Sequence, residues 1–222
     1  MIGLMPFMGG ADKGLWTYQG QVATGTSSLT LPSDLQDGDF GFLAIYATAT
    51  TSGSNPPANG FAFLPSGWSE ITATSGTAFT PPIGENGEGT TRRTSIILAG
   101  RALTAAMSST VLSGLGNGSV ESRLYLFRNT QKRTPVLTLL DNVTGVMASR
   151  LVSFGAAGSP VIAGLASTAS AGSPTLNGGA WPNSIAWPNI NALSFALQKP
   201  GQNSDVAHSG SGKHRAFSVG LL

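Results

Sequence analysis

The chain has 222 residues, 41% of them apolar and only 10% charged, against roughly 25% charged in an ordinary soluble domain. It carries no cysteine and a formal net charge of +2, which excludes disulfides, thiolate catalysis and cysteine-held metal. Arg92–Arg93 and Lys132–Arg133 are isolated basic pairs with no basic stripe between aromatics, so nucleic acid is not an expected partner.

Residues 1–14 read as an N-terminal arm. Met1 to Met8 is apolar but has no basic region before it and no small-residue cleavage site after it, so it is a poor secretion signal. It is also far too short to span a bilayer, and no other stretch approaches the roughly 18 apolar residues needed. The expectation is a soluble protein made in the cytoplasm. Met5, Phe7 and Met8, set among Gly3, Gly9 and Gly10, suit a flexible peptide that docks into a neighbour's groove. The plainer alternative is a strand at a sheet edge.

From residue 15 onward the pattern is that of short strands. Residues 16–22 alternate large and polar side chains, as a half-buried strand does. Residues 29–31 form a short strand ended by Pro32, and 40–49 are apolar on both faces, which suits a central strand covered on each side. Residues 68–74, 94–103, 109–113, 122–128, 136–140, 151–154, 161–167, 193–198 and 216–221 complete the set. Residues 103–107 are the one helical candidate, and they make a single turn. Gly or Pro interrupts most longer helical candidates.

Residues 50–60, 80–89 and 170–191 read as long loops, from their Pro, Gly and Asn content. No linker composition or charge shift divides 15–222. The expected architecture is therefore one all-β domain, a jelly-roll-like antiparallel β-sandwich with long loops.

Catalytic chemistry has little to draw on. The two histidines, His208 and His214, fall in a Gly/Ser-rich stretch with Asp205 as the sole local carboxylate, and no metal-ligand spacing surrounds them. They read as solvated loop histidines. Gly210-Ser211-Gly212-Lys213 brushes against a phosphate loop, but Ala207 stands where its first Gly belongs and His214 where its Ser or Thr belongs. The acidic run Asp34-Leu35-Gln36-Asp37-Gly38-Asp39 lacks calcium-loop order and reads as a turn before a strand. Glu70, Glu85, Glu88 and Glu121 are the carboxylates from which a sugar-cleaving pair would have to come. No catalytic residue, metal or cofactor is expected.

Trp181 and Trp187 repeat a Trp-Pro-Asn tripeptide in the third loop. Such rings close a loop onto its own domain, anchor an inter-subunit contact, or stack on a sugar; all three readings stay open.

Four short motifs then carry a resemblance. Leu29-Thr30-Leu31-Pro32, a polar turn, Gly38-Asp39 and the apolar run after it come first. Pro65-Ser66-Gly67-Trp68, Arg101-Ala102-Leu103-Thr104, and Ser122 to Asn129 followed by Pro135 come next in order. Together, over about residues 16–140, they resemble a β-sandwich module of tailed-bacteriophage virion proteins: tail fibres, minor tail proteins, head spikes and capsid decorations. Asn129-Thr130 departs from the module's Gly-Val, and the 80–89 loop is expanded.

The resemblance implies a non-enzymatic structural protein located in the virion. Its expected partners are copies of itself, with a trimer favoured, and other virion proteins. Neither nucleic acid nor membrane is expected. Met5, Phe7, Met8, Trp181 and Trp187 are the expected assembly anchors. The alternative is an adhesin whose Trp181 and Trp187 stack on a host surface glycan; a polysaccharide depolymerase ranks below both.

Overall fold

A computed structural model of the chain describes residues 17–51, 58–70, 92–128, 135–152, 161–167, 172–180, 193–198 and 204–221. Among these the fold is all-β, and the paired strands are antiparallel. The strands are β1 (Thr17–Gly25), β2 (Ser28–Thr30), β3 (Asp39–Thr50), β4 (Ser69–Glu70), β5 (Arg92–Ala102), β6 (Val111–Ser113) and β7 (Ser119–Arg128), followed by β8 (Pro135–Val152), β9 (Val161–Ser167), β10 (Pro174–Leu176), β11 (Gly179–Ala180), β12 (Leu193–Gln198) and β13 (Ser204–Leu221). The expected helical turn is there, at Ala105–Met107.

One sheet runs β1-β7-β3-β5-β4, and β2 pairs with β6 in a two-stranded sheet. A third runs β11-β10-β13-β9-β12, with β8 along the other side of β13. Each of these pairings lies within 17–128 or within 135–221.

The run expected to be a covered central strand is one. β3 lies in the middle of the first sheet, and Phe42 to Ala47 are almost completely buried. Because side chains alternate across a strand, this strand fills two cores. Leu43, Ile45 and Ala47 join Ile97, Ala99, Leu124 and Leu126 of the same sheet and Leu29 and Leu112 of β2 and β6. Leucines on both sheets thus share one apolar layer, the sandwich-like part of the fold. On the opposite face, Phe42 meets Tyr125 with ring centroids 6.0 Å apart, and Tyr18 meets Phe127 at 5.1 Å.

The start of β3 is held by one carboxylate. Asp39 is opposite Arg128 in the β3–β7 ladder. Arg128 Nε donates to Asp39 Oδ1 at 2.7 Å and its Nη2 to Oδ2 at 2.9 Å, while the Gln36 amide donates to Oδ2 at 2.9 Å. The Asp39 carbonyl accepts from the Leu103 amide at 2.7 Å. The adjacent Asp37 accepts from the Ala105 amide at 3.0 Å and so opens the helical turn. Gly38, at φ +96°, takes the turn conformation that the Asp-Gly pair signals.

A second tie joins the 58–70 segment to the sheet. Arg101 Nη1 donates to the Ser66 carbonyl at 3.3 Å, and Trp68 is buried. Asn117 Oδ1 accepts from both the Gly60 and Phe61 amides at 2.9 Å. Gly41 leaves the space that Trp68 needs. A Cβ there would lie 2.8 Å from the indole, 3.0 Å from Leu103 and 3.1 Å from Leu124. Gly41→Ala should therefore lower stability by about 1–3 kcal/mol through overpacking, read as a reduced urea midpoint. An unchanged midpoint would mean that this wall of the core yields freely.

Candidate functional site: a buried histidine pair on a bulged strand

The two histidines are not solvated, and they are not in a loop. Both lie on β13, with relative exposures of 1% for His208 and 0% for His214. The stretch read as a Gly/Ser loop is strand because its larger side chains fall on alternate positions. Val206, His208, Gly210, His214 and Ala216 are buried, whereas Ser209 and Ser211 are exposed. Glycine and serine here are the small residues of a bulge rather than a break.

The bulge can be placed from the ladder. His208 is opposite Met147 and Gly212 opposite Gly145, so four steps along β13 match two along β8. The extra backbone folds around Gly210. The Gly210 amide donates to His208 Nδ1 at 2.9 Å, and His214 Nε2 lies 2.9 Å from the Gly210 carbonyl. The two rings sit 4.6 Å apart between centroids, tilted by 31°. From β10's side, the Ser173 amide donates to Ser209 Oγ at 3.0 Å and the Ser209 amide to the Ser173 carbonyl at 3.2 Å.

These contacts dictate the tautomers. A backbone N–H only donates, so Nδ1 of His208 is the acceptor and its proton is on Nε2. A carbonyl only accepts, so His214 carries its proton on Nε2 and leaves Nδ1 as a lone pair. Among the described residues, His208 Nε2 and His214 Nδ1 have no hydrogen-bond partner. Both imidazoles are held towards the neutral form. Burial is the main cause for His208, and the neighbouring His214 adds to it, bringing its pKa down to about 4. Burial likewise lowers His214, while the Gly210 and Gly145 backbone partly offsets this.

The arrangement does not suit a metal at His208. Ligation through Nε2 would need the proton on Nδ1, against the Gly210 N–H. Among the described residues no group of three or more His, Asp or Glu is placed to hold a metal ion.

The carboxylates weighed as a sugar-cleaving pair are kept apart. Glu70 is opposite Ala99 on β5, which is opposite Leu43, so it shares the face of the leucine core. Glu121 is opposite Tyr46, on the other face. The sheet order β7-β3-β5-β4 also sets them three strands apart, roughly 14 Å, beyond the separations of a carboxylate pair in glycosidases. Burial raises the Glu121 pKa and Arg123 opposes the rise. Glu85 and Glu88 lie outside the described residues, as do all five expected anchors, Met5, Phe7, Met8, Trp181 and Trp187.

The expected loop 170–191 contains a hairpin, β10–β11, within its described part. Asn177 and Gly178, at φ +52° and +74°, form its two-residue turn, the geometry that Asn-Gly favours. The Asp205 amide donates to Asn177 Oδ1 at 2.8 Å, which fastens the hairpin to β13 beside the histidines.

Compared with protein families, with curated proteins and with solved structures, the chain matches none.

Gly172 closes the site from outside. Its φ is +95°, and a Cβ there would overlap the Gly210 backbone. Gly172→Ala should displace the bulge, lowering the thermal midpoint and increasing exchange of the Gly210 amide; wild-type values for both would show that the bulge does not depend on this contact.

Proposed function

We propose that the chain is a structural component of a tailed phage or phage-like particle, working through symmetric self-association and contacts with other virion proteins, with a trimer favoured. A jelly-roll strand arrangement and residence in the virion belong to the same proposal.

The observation that supports it best is that the motifs of the resemblance act on one another. Gly38-Asp39 meets Arg128 through a two-bond ion pair. Pro65-Ser66-Gly67-Trp68 meets Arg101 through Ser66, and Trp68 and Leu103 both press on Gly41. Residues far apart in sequence thus act together to lock one sandwich.

Surface chemistry agrees with association. Ten per cent charge leaves little repulsion between copies. Phe63 and Leu64 are adjacent and 45% and 41% exposed, and Val111 and Val146 are 58% and 60% exposed. Apolar side chains held at a surface are ready contact area for a partner.

Native mass spectrometry at micromolar concentration tests this reading. A single closed oligomer, weakened by Phe63→Glu with Leu64→Glu while the monomer stays folded, is the expected result. A monomer for the unaltered chain would overturn self-association. Glycan binding lost in Trp181→Ala and Trp187→Ala, with mass unchanged, would favour the adhesin instead.

A further inference from the structure

We propose that His208, His214 and the Gly210 peptide between them form an acid-released latch, which holds the β13 bulge closed while both rings are neutral and opens it when they take up protons.

The geometry gives the latch its direction. His208 has no lone pair free, because Nδ1 already accepts from the Gly210 amide. A proton can enter this ring only by taking the place of that amide. Protonation and release of Gly210 are therefore one event. His214 has its free lone pair on Nδ1, so it can be protonated without breaking its bond to the Gly210 carbonyl. Its charge then lies 4.6 Å from the His208 ring, with both rings shut off from solvent. Two positive rings at that distance repel strongly in a poorly solvated site. The relief available is exposure to water, which means opening the bulge.

The residues directly opposite the pair in its ladders bring no countercharge. The pair's ladder partners are Met147 and Val143 on β8, Ser167 on β9 and Pro174 on β10. β9, β10, β11 and β12 contain no charged residue. The charged residues of the other two strands are Asp141 and Arg150 on β8 and Asp205, Lys213 and Arg215 on β13. Of the charges placed among the described residues, the one that acts on His208 is His214.

The sign follows from linkage. Both histidines have folded pKa values below the ordinary 6.5, so the opened state binds more protons than the closed one. Closure is fully favourable above about pH 6.5 and is lost as pH falls from there towards 4. The segments released are the ones the bulge fastens: Ser173 at the start of β10, held by Ser209, and the β8–β13 ladder between Met147 and Gly145.

The test is hydrogen exchange of the full chain, read at the Gly210 amide and corrected for the intrinsic pH dependence of exchange. The comparison variant is His208→Asn with His214→Gln, which keeps an acceptor near Nδ1 and a donor near Nε2 without a titrating ring. In the wild type, exchange should accelerate roughly tenfold or more between about pH 6.5 and 4.5, while the double variant should stay nearly flat. Equal acceleration in both, or none in the wild type, would overturn the latch. Should the double variant not fold at neutral pH, imidazole titration by NMR in the wild type decides: both rings titrating near 6.5 would overturn it, and both titrating well below 6.5 together with loss of Gly210 protection would uphold it.

Discussion

A carboxylate with no exposed area, that of Asp39, fixes the start of the central strand of the first sheet. Burying an isolated carboxylate is costly, and only charge-assisted hydrogen bonds of good geometry offset that cost. Asp39 has three: two from Arg128 and one from the Gln36 amide. Its own carbonyl holds Leu103. The turn before β3, the start of β3, the end of β7 and the segment following β5 therefore meet at one residue. Register in the central sheet is set where they meet, and a slip by one residue would exchange the leucine face for the aromatic face.

From that anchored end, β3 supplies both faces of the sheet. Leu43, Ile45 and Ala47 go to the layer shared with β2 and β6, and Phe42 and Tyr46 go to the other side. Two-sided burial of this kind leaves little room for adjustment. Glycines at Gly41 and Gly67 sit where Trp68 and Arg101 approach the backbone. Interlocked packing of this type suits a part whose work is to keep its shape among neighbours, consistent with the assembly role proposed above. The β8–β13 ribbon is a different kind of device. Its bulge depends on two neutral imidazoles and a small-residue backbone, and it responds to protons because those rings are hidden from water.

How much of this was legible in the sequence varies by element. The continuous apolar runs at 40–49 and 124–127 located β3 and β7, since burial on both faces leaves consecutive apolar residues. Asp37-Gly38 signalled its turn correctly. The long strands β8 and β13 were not read whole. Asp141-Asn142 and Gly145 look like turn residues in β8, and Gly210 to Gly212 look like a loop in β13. Long-range pairing overrides these local preferences. The signal was there in two places: even-numbered spacing of Val206, His208, His214 and Ala216 marks one strand face, and Asn177-Gly178 is a hairpin turn hidden inside a presumed loop. The Asp39–Arg128 pair was harder, because 89 residues separate its members and nothing local ties an acid in a turn to an arginine ending a distant strand.

The measurement that bears most directly on this account is a double-mutant cycle on Asp39 and Arg128, using Asp39→Asn, Arg128→Met and the pair together, with unfolding free energies from urea titration. A buried, two-bond ion pair at the convergence of four segments predicts a coupling energy of about 2 kcal/mol or more. Additive losses, agreeing within about 0.5 kcal/mol, would mean that the sheet is held elsewhere and that Asp39 is only one buried polar group among others.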